Sequence, residues 1–135
     1  MKRLIVGLMV LFVLAACSGG ASASITGQWK LVSYGSADKQ TPAAPDVDTS
    51  IEFKSDGPLS GNVGCNGFGG DYKVSGDTLT FGPVMSTMMF CEGPVGDQET
   101  GTLAVLKDSA KFVLDGDKLT ITSTDGNAVI VLARK

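Results

Sequence analysis

The chain has 135 residues, of which 11 are basic, 14 are acidic, 18 are glycine and none is histidine. This length allows one domain with a substantial core, and the many glycines with few helix-favouring runs predict a β-rich fold. An acidic surface without clustered Lys or Arg argues against nucleic acid as a partner. The lack of histidine excludes Ser-His-Asp and Cys-His catalytic groups.

The first sixteen residues have the layout of a secretory signal peptide. Lys2 and Arg3 precede an apolar run over residues 4–14 that is too short to span a bilayer. The run ends in Leu14-Ala15-Ala16-Cys17, which is the lipobox pattern of a bacterial lipoprotein. We therefore expect the thiol of Cys17 to receive a diacylglyceryl group and residues 1–16 to be removed.

The lipobox predicts three parts: the signal peptide at 1–16, lipidated Cys17 with a flexible tether at 17–24, and a domain at 25–135. Two or more acyl chains, at about 0.8 kcal/mol per buried CH₂, would hold the protein at a membrane. No Asp follows Cys17, so we expect the outer membrane in a host with two membranes, and otherwise the outer face of the cell membrane. The alternative is an ordinary signal peptide with a coincidental cysteine.

Alternating apolar and polar residues predict strands at 27–34, 50–54 and 59–63, with a loop over 36–48. Two similar segments, 72–81 and 112–121, each predict a hairpin that turns at a Gly-Asp pair. A third hairpin is predicted to turn at 124–127 and to continue into 128–132.

One helix is predicted between the last two groups of strands, from Asp97 as N-cap to about Asp108. Leu103, Leu106 and Ala110 would form its apolar stripe. Gly101 inside it costs about 1 kcal/mol against alanine, so packing must hold the helix. The order of elements predicts a mainly β fold in which a small antiparallel sheet curls into an open barrel with one helix packed across it.

The cysteine count suits an exported protein, because Cys65 and Cys91 remain as a pair once Cys17 is assigned to lipid. In an oxidising compartment this pair is expected to form a disulfide, and the alternative is two buried free thiols. A metal site is not expected, because the chain has no histidine and only two thiols remain available as ligands. No cofactor is expected either.

Two glycine-containing stretches could be mistaken for binding loops. Residues 64–70 lack the Lys-Ser/Thr of a phosphate loop and precede a strand instead of a helix, so they indicate a turn or bulge. Asp115-Gly116-Asp117 lacks the further oxygen ligands of a calcium loop and indicates solvated turn carboxylates. No pair of carboxylates is singled out as a glycosidase pair, so we expect no enzymatic activity.

Aromatic residues occur on most predicted strands and are expected to fill the core. The alternative is that some of them line an apolar cavity that holds an acyl chain or an apolar peptide. Met85, Met88 and Met89 beside Phe90 suit an adaptable binding lip and equally suit irregular core packing.

The domain resembles the META/HslJ-like family over residues 25–135. The resemblance is carried by a shared set of motif residues: Trp29, Gly64, Cys65, Asn66, Phe68, Gly70, Tyr72, Ser86, Thr87 and Cys91. It implies a small antiparallel β-structure with a helix across an open barrel. It also implies an envelope or secreted protein tied to stress or drug tolerance, without established catalysis, in which the motif residues chiefly build the fold.

The chain departs from the family pattern at three positions. Met88 and Phe90 stand where the family usually has a basic and a small residue, and Thr102 replaces an aromatic residue that is common in the family's helix. We expect Thr102 to thin the contact between helix and sheet. The resulting hypothesis is a non-enzymatic, lipid-anchored envelope protein that acts through contacts with an unknown envelope protein. The alternative is a module that binds an acyl chain or apolar peptide inside the barrel.

Overall fold

The structure is a computed structural model that describes residues 24–135. The predicted signal peptide at 1–16, the lipidation of Cys17 and most of the tether lie outside the described residues. The described part consists of strands and one α-helix, which follow one another along the chain: β1 (Gly27–Gly35), β2 (Gln40–Pro42), β3 (Ser50–Phe53), β4 (Pro58–Asn62), β5 (Gly67–Ser75), β6 (Thr78–Phe81), β7 (Met85–Ser86), α1 (Gly93–Val105), β8 (Ser109–Asp115), β9 (Lys118–Ser123) and β10 (Val129–Arg134).

Eight of the strands form an antiparallel barrel in the order β1, β3, β4, β5, β6, β8, β9, β10. The mainly β fold class with a curled antiparallel sheet and a helix packed against it is confirmed. An open barrel was expected, and here the sheet closes because β10 also pairs with β1, with Leu31 opposite Leu132. Apolar side chains that alternate along every strand can all reach one interior only when the sheet curls fully.

The barrel has two ends, and successive connections between antiparallel strands alternate from one end to the other. The residues at the two ends differ in chemistry. The tether end contains residues 24–26, where the described chain begins, together with the β3–β4, β5–β6 and β8–β9 turns. The helix end contains α1, the β4–β5 connection at 63–66 and the segment 82–92. The chain therefore enters the barrel at the end opposite the helix.

The predicted helix is present, but its predicted bounds and buried face are wrong. It begins at Gly93 after Glu92, whose side chain makes no capping hydrogen bond, and it has Pro94 in its first turn. A cap at Asp97 was expected because acidic residues usually mark helix starts, but here proline fixes the start instead. Ala110, assigned to the helical stripe, lies in β8 opposite Leu79.

The buried face of α1 consists of Gln98, Thr102 and Val105, while Leu103 is only partly buried. Thr102 is fully buried, and its hydroxyl donates to the carbonyl of Gln98 at 2.8 Å. Gly101 faces Tyr34, and a Cβ placed on it would lie 2.7 Å from Cδ2 of that ring. The glycine that weakens the helix therefore lets the helix approach β1.

Two short strands were not predicted. The loop expected over 36–48 contains β2, which pairs with the end of β1 from Ser33 to Gly35, and Pro42 is tolerated there because β2 is an edge strand. β7 pairs with the start of β5. Both were missed because strands of two or three residues leave no periodic signal.

The three predicted hairpins are present, and Gly76 and Gly116 have the positive φ values that their turns require.

Candidate functional site

Asn66 is the centre of a hydrogen-bond network at the helix end, and only 4% of it is exposed. Its Oδ1 accepts hydrogen bonds from the Thr87 hydroxyl and the Met89 amide, both at 2.8 Å. Its Nδ2 donates to Oε1 of Glu99 at 2.8 Å and to the Met89 carbonyl at 3.0 Å, while its backbone N–H donates to Oε2 of Glu99 at 2.6 Å. One side chain thus joins the segment 82–92 to the helix.

A disulfide joins the same parts of the chain. Cys65 and Cys91, the pair expected from the cysteine count, are bonded to each other with their Cα atoms 6.2 Å apart. The disulfide lies directly beside the network, since Nδ2 of Asn66 is 3.2 Å from Sγ of Cys65. The segment before the helix is therefore held both covalently and by hydrogen bonds.

Gln98 anchors the helix to two further connections and was missed by the sequence analysis. Its side chain is fully buried, its Oε1 accepts from the backbone N–H of Ala44 at 2.8 Å, and its Nε2 donates to the carbonyl of Val63. A glutamine in a helix normally indicates a solvent-exposed face. No sequence signal distinguishes this one, because its partners are backbone groups that only the fold brings near.

The motif residues Trp29 and Tyr72 lie towards the tether end. Trp29 is fully buried, and its Nε1 donates to the carbonyl of Ile25 at 2.7 Å. The Arg134 guanidinium lies 4.2 Å from the centroid of the Trp29 ring. Tyr72 donates its hydroxyl proton to the Lys54 carbonyl at 2.7 Å and packs edge-on against Phe53 with ring centroids 5.0 Å apart. These residues build the barrel rather than a reactive site.

The remaining motif residues fix backbone geometry or fill the core. Gly64 has a φ of +112°, a conformation that is strained for any residue with a side chain. A Cβ on Gly70 would lie 2.9 Å from the Pro83 carbonyl oxygen, so this strand passes very close to the following segment. Phe68 is buried in the core, and Ser86 lies opposite it in β7.

The apolar loop, residues 85–90, displays its large side chains to solvent. Met85 is 77% exposed, Met88 95%, Met89 64% and Phe90 87%. Of the two interpretations of these residues, irregular core packing is excluded by this exposure. The loop lies at the helix end, where it includes β7 and ends next to Cys91 of the disulfide, and Met89 is the residue whose backbone the Asn66 side chain holds.

A solvent-open groove separates the apolar loop from the start of α1. Its lining includes the apolar side chains of Met89 and Phe90 together with the carboxylates of Glu92, Asp97 and Glu99. The segment 82–105 contains these three carboxylates and neither Lys nor Arg. Burial and, secondarily, the nearby Asp97 carboxylate raise the pKa of Tyr34 above its ordinary value. The groove therefore combines apolar side chains with negative charge.

Other kinds of site are not found in the described part of the chain. Within residues 24–135 no group of three or more Cys, Asp or Glu side chains is placed to hold a metal ion. No helix among these residues combines the length and the hydropathy needed to cross a membrane.

The class of protein is defined by a closed antiparallel barrel that one helix caps. At the helix end, the Cys65–Cys91 disulfide and the Asn66 hydrogen-bond network lie side by side. The chain belongs to the META domain family, which it matches over residues 23–135. No curated protein is detectably similar to it.

Three solved structures share the fold with this chain. A protein from Burkholderia xenovorans solved by NMR has 23% identity and a TM-score of 0.65, with 81% of each chain covered. A second NMR structure has 24% identity and a TM-score of 0.59 over 78% of this chain and 86% of the other. A crystal structure of a DUF4847 family protein from Bacteroides vulgatus ATCC 8482 has 17% identity and a TM-score of 0.57 over 82% and 93%. At these identities the similarity concerns the fold alone.

Proposed function

We propose that this META domain protein is anchored to a membrane outside the cytoplasm by a lipid on Cys17 and supports the cell envelope under stress through contacts with another protein. In this proposal the domain is not an enzyme. It presents a surface to a partner, and the lipid keeps that surface close to the membrane.

The observation that carries the contact role is the exposure of the apolar loop. Single exposed apolar residues are common, but Met88 and Phe90 stand almost fully out of the surface on a segment held by a disulfide and by Asn66. In the free protein these exposed side chains contribute no free energy of apolar burial to folding. A bound partner would supply that burial, and a preordered loop lowers the entropy cost of binding.

The disulfide and the lipobox support the same compartment. A disulfide between Cys65 and Cys91 persists in an oxidising space, and Leu14-Ala15-Ala16-Cys17 predicts export and lipidation. The resemblance to META/HslJ-like proteins adds the link to envelope stress.

The barrel interior favours protein contacts over the alternative of an apolar ligand held inside. Fully buried side chains from several strands meet along the barrel axis, among them Trp29, Phe53, Ile51, Leu59 and Leu79. Large side chains that fill the interior of an eight-stranded barrel take up the space that an acyl chain would need. This packing favours a role through surface contacts over a ligand inside the barrel.

A Cys17→Ser variant tests the anchor and its role together. The wild-type protein should incorporate labelled palmitate and sediment with membranes, whereas Cys17→Ser should do neither. Wild type should restore growth of a deletion strain under detergent stress, and Cys17→Ser should not. A Ser18→Ala variant serves as the control. A wild-type protein that stays unlabelled and soluble inside the cell would contradict the proposal, and so would full rescue by the unlipidated variant.

A further inference from the structure

The apolar loop and the carboxylates beside it form one continuous surface at the helix end. Met89 and Phe90 line the same groove as Glu92 and Asp97. Unbranched methionine side chains adapt to differently shaped partners, and Phe90 supplies a large apolar area that the free protein leaves 87% exposed. The surface is thus suited to an apolar segment of variable shape.

The carboxylates of this surface have no cationic partner within the described chain. The ion pairs among residues 24–135 are Lys111–Asp77, Arg134–Asp117 and Lys135–Asp48, and none of them involves the groove. Glu99 accepts hydrogen bonds only from the neutral N–H groups of Asn66, so its negative charge is not neutralised. A partner that brings positive charge next to apolar side chains would complement this surface.

The position of the surface argues against insertion into the anchoring membrane. The described chain begins at the tether end, where Nη1 and Nη2 of Arg134 donate to the carbonyls of Thr26 and Ser24 at 3.0 Å. The apolar loop lies at the opposite end of the barrel. Anionic lipid headgroups would also be repelled by the carboxylates around the loop.

We infer that the groove between the apolar loop and helix α1 binds a cationic amphipathic segment of a partner protein. Apolar side chains of that segment pack on Met89 and Phe90, while its Lys or Arg side chains pair with Glu92 and Asp97. This inference rests on the proposed contact function and specifies the chemistry of the partner.

Fluorescence anisotropy with defined peptides tests the inference. The lipidated protein is placed in phosphatidylcholine nanodiscs, and labelled helical peptides of Leu and Lys, or of Leu and Glu, are titrated against it and against empty nanodiscs. The Leu/Lys peptide should bind the protein at least about tenfold more tightly than the Leu/Glu peptide. Binding of the Leu/Lys peptide should weaken as ionic strength rises.

Variants on two surfaces separate this groove from general stickiness. Phe90→Ser should weaken binding of the Leu/Lys peptide about tenfold, and Glu92→Gln with Asp97→Asn about three- to tenfold. Val113→Ser with Asp115→Asn is the matched control, since Val113 is 66% exposed on the barrel wall next to an exposed carboxylate, and it should change nothing.

Each other outcome overturns the inference in a recognisable way. Equal binding of both peptides would mean unspecific apolar adhesion. Binding of the apolar loop to vesicles with phosphatidylglycerol, without peptide binding, would make the surface a membrane contact, and dimerisation lost in Phe90→Ser would make it a contact between copies. Failure of peptide binding while Cys17 is still lipidated contradicts this inference without touching the anchor proposal.

Discussion

The two ends of the barrel are closed by different physical means. At the tether end, Ile25 is buried and its carbonyl accepts a hydrogen bond from Nε1 of the buried Trp29. The Arg134 guanidinium packs on the face of the Trp29 ring. At the helix end, the buried side chains include the polar Asn66, Gln98 and Thr102 beside apolar Val105, and a disulfide ties the segment before the helix to the barrel. Buried polar side chains that must find partners are therefore concentrated at the helix end, whereas the buried side chains of the tether end are mainly apolar.

This difference in packing suits what each end of the barrel holds: the start of the described chain at one end and the apolar loop at the other. Apolar packing at the tether end holds the first described residues, 24–26, firmly against the barrel. The polar network at the helix end holds a loop whose own side chains point into solvent. Hydrogen bonds to buried backbone groups fix position without burying the apolar side chains that the loop displays.

Truncating the buried Trp29 at the tether end should have the largest effect. We expect Trp29→Ala to lower the free energy of unfolding by about 3–5 kcal/mol, because it empties a fully buried ring position. Urea unfolding followed by circular dichroism measures this loss. Val32→Ala on the same strand is the control, since Val32 is 44% exposed, and it should cost far less. Equal losses in the two variants would contradict the assigned role of Trp29.

Opening the disulfide should come next and should act on the helix end. The Cys65→Ala/Cys91→Ala variant is expected to lose about 3–4 kcal/mol in the chain-entropy model, since the bond closes a loop with a sequence separation of 26. Unfolding of the wild-type protein with and without reductant gives the same comparison without mutation. If reductant destabilised the double variant as much as wild type, the loss could not come from this bond.

Breaking the Asn66 network should have a smaller and more local effect. Asn66→Ala removes the side-chain partner of the Thr87 hydroxyl, the Met89 amide and Oε1 of Glu99, while the backbone N–H at position 66 can still donate to Oε2 of Glu99, and it should cost about 2–3 kcal/mol. Hydrogen exchange should become faster at the Met89 amide but not at Trp29. Asn62→Ala, at the same corner but more exposed, is the control and should cost about 1 kcal/mol or less. Faster exchange at both ends would contradict the separation of the two ends.

Much of the β-structure could be predicted because its signals are local. The first strand, the hairpins at Gly76 and Gly116 and the pairing of Cys65 with Cys91 depend on alternation, turn residues and cysteine count, all of which are readable along the chain. Gly101 was a partial signal. Its cost in a helix implied a packing reason, and Tyr34 is that reason.

The candidate site was only half visible in the sequence. Met88 and Phe90 were noticed, but the sequence offered core packing and a binding lip as equal alternatives. Exposure excludes core packing, and exposure depends on which groups the fold places nearby. The buried face of α1 was not predicted from helical periodicity, because it is polar. Gln98 is buried against backbone groups of residues 44 and 63, which are distant along the chain.

The sequence by itself determined that this chain forms a small β-rich domain with one helix and a pair of cysteines. Alternation, turn chemistry and composition act over a few residues and need no knowledge of distant contacts. Only the tertiary structure decided that the barrel closes, that its two ends differ in chemistry and that the apolar loop faces solvent beside three carboxylates. Those properties arise from contacts between residues far apart along the chain, whose partners the closing sheet selects.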